Sequence, residues 1–180
     1  MLRAAFAAQF FALALLAASA AWSQPSPVLG GHVMDEDAAL CRTGRGPAIQ
    51  VDVSGLKDRG GELWLELYPN NASDFLRDDT ALIAEGKTFR RTRARPVAAG
   101  STSICMKVPR AGRYTLLLRH NRTGKDGFSL WKDGVGFPGN RPIGRSRPSF
   151  DQAGIVAGNG VTVTGIQMQY LRGLRGFQPS

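Results

Sequence analysis

The residues best suited to acid–base chemistry cluster in the second half of the chain: His120, followed by Asn121, Asp126 and Asp133. An imidazole titrates near neutral pH, and a carboxylate held beside it makes the general acid–base pair that a hydrolase or lyase needs. His120 with Asp126 or Asp133 is therefore the pair on which an enzymatic reading can be built. The same stretch offers oxygens for a hard cation through Asn121, Thr123, Asp126, Ser129 and Asp133, which makes a calcium-stabilised module a second alternative. Calcium takes roughly six to eight oxygens, many of them carboxylate. Arg122, Lys125 and Lys132 are interleaved with only two carboxylates here, and their charge opposes cation capture.

Other chemistries lack their residues. No His-x-x-x-His or Cys/His spacing supplies a zinc ligand set, and no serine stands in a recognisable nucleophile turn. Gly134-Val135-Gly136-Phe137-Pro138-Gly139 matches the letters of a dinucleotide loop. That loop works only as a strand-to-helix turn, and Pro138 precludes the helix; glycines with positive φ in a tight loop are expected instead. No metal and no cofactor is expected, and the balance leans away from an enzyme. The simplest role for His120 is to end a strand and donate to a loop carbonyl.

Arg91, Arg93 and Arg95 alternate along one segment and so share a strand face. They either discourage edge-to-edge pairing or form an anion-contact surface. The whole chain carries a formal net charge of +9, which attracts anions in general.

Which anions depends on the compartment. Arg3 and the amino terminus precede an apolar run from Ala4 to Ala18, and small residues Ala18-Ser19-Ala20-Ala21 close it. That order predicts a secretory signal over 1–20, cleaved after Ala20 or else after Ser23. The run is short for a membrane anchor, and no second stretch of the mature chain approaches membrane length. A periplasmic or secreted location follows, and nucleic acid drops out as a partner. An anionic envelope component or polysaccharide takes its place, with the specific partner unknown. In an oxidising compartment Cys41 and Cys105 are expected to form a disulfide. Closing a loop of about 65 residues is worth on the order of 4 kcal/mol at most.

The elements that must position these residues are strands. Residues 21–43 read as an extended leader, and the domain proper spans 44–173 with a frayed tail over 174–180. Ile49, Val51 and Val53 alternate with polar residues, as do Leu63, Leu65 and Leu67 against Trp64, Glu66 and Tyr68. Residues 72–86 form a short helix or loop. Strands follow over 88–97, 103–108 and 113–120, then a long loop rich in glycine, proline and charge from His120 to Pro148. Two strands, 149–157 and 161–170, close the chain around Gly158-Asn159-Gly160, a hairpin turn by composition. About seven short strands with little helix predict an all-β, antiparallel two-sheet β-sandwich, Ig-like or prealbumin-like, with one long loop.

On Ile49 to Lys57, Gly61-Glu62-Leu63, Leu67-Tyr68, Gly112 to His120, Gly134 to Pro138 and Pro148-Ser149-Phe150, the chain from about Cys41 to Gly173 resembles DUF2141. This is a family of exported bacterial proteins of uncharacterised function. The resemblance implies export and a β-sandwich, and adds no known reaction. In that family the histidine opens a loop rich in Asp, Asn and Gly that looks like a calcium-binding turn; here Asn121 stands where an aspartate is expected, and Arg122, Thr123 and Lys125 dilute the rest. The expected function is a non-enzymatic envelope binding or scaffold module that uses the loop from His120 to Pro148 and the arginine strand as its contact surface.

Overall fold

A computed structural model describes residues 28–29 and 35–180, so the expected signal segment lies outside the described residues. The period-2 segments form strands as expected, and short strands that were not expected lie in the leader, the long loop and the tail; together the described residues form eleven. They are β1 (Val28–Leu29), β2 (Ala48–Ser54), β3 (Glu62–Pro69), β4 (Arg90–Ala94), β5 (Thr102–Lys107), β6 (Gly112–Asn121), β7 (Gly134–Gly136), β8 (Gly154–Ala157), β9 (Val161–Gln167), β10 (Gln169–Leu171) and β11 (Phe177–Pro179). Two short α-helices, α1 (Asp35–Thr43) and α2 (Asp79–Ala84), and two single-turn 3-10 helices, Phe150–Gln152 and Gly173–Arg175, complete the regular structure of the described residues.

The strands make two stacked sheets. A four-stranded sheet runs β1-β5-β2-β9, and a larger one runs β11-β10-β7-β6-β3-β4 with β8 pairing β6. Pairing is mostly antiparallel, with β2–β9 and β1–β5 parallel. The alternation read from the sequence sets the main core. Ile49, Val51, Val53, Ile104 and Met106 of the small sheet meet Leu63, Leu65, Leu67, Leu116 and Leu118 of the large one, all buried. Each such side chain taken fully from water contributes about 1.5–3 kcal/mol. The expected bridge joins Cys41 on α1 to Cys105 on β5 and ties the helix to the small sheet.

Several expectations are corrected. The end of the leader is helical rather than extended, because Ala38 and Leu40 pack on the core and buried Asp37 accepts from Thr92 and Arg90. The tail is not frayed: Phe177 is buried and β11 pairs with β10. Gly158-Asn159-Gly160 is not a hairpin turn, since β8 pairs with β6 in one sheet and β9 with β2 in the other; it carries the chain between layers. Gly134, Gly136 and Gly139 do not have positive φ. Gly134 lies so close to the Tyr170 ring, and Gly136 to Ile166 and the Gln167 carbonyl, that neither position has room for a Cβ.

Every interior position of β3 is buried on both faces. The outer face of the large sheet is covered by the chain between β6 and β8, and there Val135, Phe137, Ile143, Ala153 and Phe177 build a second, smaller core against Phe75 and Leu117.

Candidate functional site

Strand register sets the outer face of the large sheet. Trp64 on β3 stands directly opposite Arg93 on β4 and Arg119 on β6, and the next row places Glu66 between Arg91 and Leu117. The guanidinium carbons of Arg93 and Arg119 lie 4.0 and 4.7 Å from the Trp64 ring centroid, a cation–π arrangement on both flanks. Buried Glu66 accepts from Arg91 Nε at 2.8 Å and from the Tyr68 hydroxyl at 2.7 Å. Burial and the neighbouring Glu66 carboxylate push the Tyr68 hydroxyl far above its ordinary pKa, so it remains a donor.

Arg119 does most to shape the loop that follows it. Its Nη atoms donate to the carbonyls of Lys125, Asp126 and Gly127 at 3.1, 2.7 and 2.5 Å, and to the Asp133 carboxylate at 3.1 Å. The side chain is 7% exposed, with Phe128 on its other face at 5.5 Å. Its Nε is buried and has no hydrogen-bond partner. Asp133 also accepts from the amides of Arg122 and Ser129, and Asn121 binds the Lys125 carbonyl and the Gly124 amide. A tethered cation thus sits among the oxygens that a calcium reading would assign to a metal. Among the described residues no group of three or more His, Cys, Asp or Glu side chains is placed to hold a metal ion.

His120 faces the opposite way, into the space between the sheets, and is fully buried. Nε2 lies 2.7 Å from the Gly60 carbonyl, to which it can only donate, so Nδ1 accepts from the Tyr170 hydroxyl at 2.6 Å. Tyr170 in turn accepts from the Lys57 amide. Burial holds the imidazole pKa below its ordinary value and pushes Tyr170 up to about 12. The carboxylate nearest the ring is that of Asp58, 4.0 Å from Nε2, and Arg122 holds its pKa below the usual range. The structure does not bring His120 together with either expected carboxylate. Asp133 belongs to Arg119, and Asp126 lines a polar depression with Trp64, Arg77, Asp79 and Arg91.

The three candidate arginines are also separated by role. Arg91 is committed to Glu66 and Asp79, Arg93 stacks on Trp64, and Arg95 is exposed beyond the end of β4. Arg91 and Arg119 share the floor of an open cleft of about 440 Å³ with Glu66, Leu117 and Val135. Phe128, Leu130, Arg147, Pro148 and Phe177 form its walls. Sequence reasoning missed Glu66, Arg119 and Leu117. The available signal was the outward register of Trp64 and Glu66, which placed a large aromatic and a carboxylate beside an arginine strand.

No curated protein and no solved structure matches the chain. The family model of DUF2141, described as an uncharacterised protein conserved in bacteria, matches residues 51–164, from within β2 to within β9. That span includes the cleft floor, the Arg119-centred loop and His120, and on it the chain belongs to the DUF2141 family.

Proposed function

We propose that the chain is an exported, non-enzymatic binding module of the bacterial envelope, and that the cleft on the outer face of its large sheet seats the ligand. The observation that carries this reading is the cleft itself: about 440 Å³, apolar through most of its lining, with arginine side chains on its floor and wall. Ligand sites of small molecules have this size and this mixture of apolar walls with a few placed polar groups. Export is supported by the N-terminal charge and apolar pattern and by the Cys41–Cys105 bridge, which suits an oxidising compartment.

The lining points to a compact, largely apolar ligand bearing an acceptor group. Leu117, Val135, Leu130 and Ile143 offer apolar contact, and Arg147 has no ion-pair partner among the described residues. The floor is rigid because its side chains come from adjacent, fully paired strands, so little ordering cost opposes binding. Native mass spectrometry of the protein isolated from its host envelope tests this. A small adduct is expected on the wild type and absent from Leu117→Trp, which fills the cleft from a half-buried position. No adduct on the wild type, or the same adduct on the variant, contradicts the reading.

A further inference from the structure

Seven large apolar side chains are exposed among the described residues, and four of them, Phe128, Leu130, Trp131 and Leu174, converge on one end of the large sheet. The registers place them there. Asn121 at the end of β6 and Asp133 just before β7 mark that end, since His120 pairs with Gly134. Val135 pairs with Gln169 and Leu171 with Phe177, so the turn from Arg172 to Gly176 emerges beside them. Phe128 and Phe177 touch, with ring centroids 6.1 Å apart.

This apolar end is held out rigidly. The turn carrying Leu130 and Trp131 is closed by the Lys132 and Asp133 amides on the Ser129 carbonyl and by the Asp133 carboxylate on the Ser129 amide. Trp131 is 77% exposed and Leu174 86% exposed at the tips of their turns. Hydrogen bonds of the turn hold the tryptophan out in water, and large apolar side chains exposed together at one end of a sheet mark an interaction surface.

Charge identifies the surface it fits. Lys125 and Lys132 flank the first tip, Arg172 and Arg175 flank the second, and Lys57 and Arg59 lie on the neighbouring loop before β3. Against these stand Asp58, which is paired with Arg122, Glu62 at the start of β3, and Asp126. Amphipathic tryptophan and leucine side chains ringed by lysine and arginine are the composition that settles at the headgroup level of an anionic bilayer.

We propose that this end of the molecule docks on an anionic lipid surface, with Trp131 and Leu174 inserted between headgroups and the lysines and arginines on lipid phosphates. The proposal does not depend on occupancy of the cleft. Flotation of the purified protein with phosphatidylglycerol–phosphatidylcholine vesicles tests it, with phosphatidylcholine vesicles alone as the control. Binding to the mixed vesicles, weakened by salt, is expected. The double variant Trp131→Ala, Leu174→Ala is expected to bind at least about tenfold more weakly, from the apolar area it withdraws. Both positions are exposed, so its melting curve is expected to match the wild type. Absence of binding to the mixed vesicles, or undiminished binding by the double variant, overturns the proposal. So does a Trp131-dependent dimer in solution, or Trp131-dependent capture by an anionic polysaccharide without vesicle binding.

Discussion

Replacing Arg119 with methionine isolates the role of its guanidinium. The variant keeps an unbranched apolar stem between Trp64 and Phe128 and deletes four hydrogen bonds, three to loop carbonyls and one to Asp133. Asp133 is fully buried and loses its cation, while retaining the amides of Arg122 and Ser129. Breaking one partner of a buried pair costs about 3–5 kcal/mol, and the two retained amides place this case near the lower end, about 3 kcal/mol. For a domain of this size each kcal/mol lowers the melting temperature by about 2–4 °C, so a fall of about 6–12 °C is expected. Urea denaturation of Arg119→Met, Asp133→Asn and the double variant measures the loss and the coupling. The singles are expected to be non-additive by about 1–3 kcal/mol, as contacting charged residues are. A loss under about 1 kcal/mol for Arg119→Met, or simple additivity, refutes the view that this side chain organises the loop.

Three further outcomes are expected. The folded state holds the His120 pKa below its ordinary value of 6.5 by burial, so below that value the unfolded chain takes up a proton that the fold refuses. Stability contributed by neutral His120 is thus present above the ordinary value of about 6.5 and is lost as the pH falls below it; urea midpoints that stay flat through that fall would count against the buried, neutral imidazole. Gly134→Ala drives a methyl into the Tyr170 ring and is expected to cost about 1–3 kcal/mol, whereas Gly127→Ala, with open space around it, is expected to be near neutral; equal melting temperatures contradict the close approach. Because the guanidinium of Arg119 occupies the loop oxygens, calcium and chelators are expected to leave the melting temperature unchanged, and a saturable upward shift with calcium argues for a metal seat.

The sandwich was legible because its signal is local. Leu63, Leu65 and Leu67, or Ile49, Val51 and Val53, declare a buried face through period 2 alone, and a chain with two cysteines leaves one intramolecular pairing. The site was less legible because it depends on what covers a sheet. Trp64, Glu66 and Tyr68 read as a solvent face, yet arginines of the neighbouring strands cover Trp64 and Glu66, and Phe75 and Phe89 pack on Tyr68. His120 looked like chemistry because residue type carries no direction; its register opposite Leu63 turns it inward, away from the polar loop it precedes. The glycines of 134–139 suggested turns, yet the space taken up by Tyr170 and Ile166, remote in sequence, accounts for Gly134 and Gly136. Helix α1 is short and follows no strong apolar period, and its docking is fixed by Cys41 and Asp37 through partners more than 50 residues away.

Amide hydrogen exchange, compared between protein isolated natively from its host and the same protein stripped of small molecules by unfolding and refolding, tests the cleft most directly. Slower exchange in the native isolate is expected over 127–132 and 143–148, the segments that wall the cleft. Identical exchange in the two preparations, or a difference confined to the small sheet, contradicts a ligand seat there.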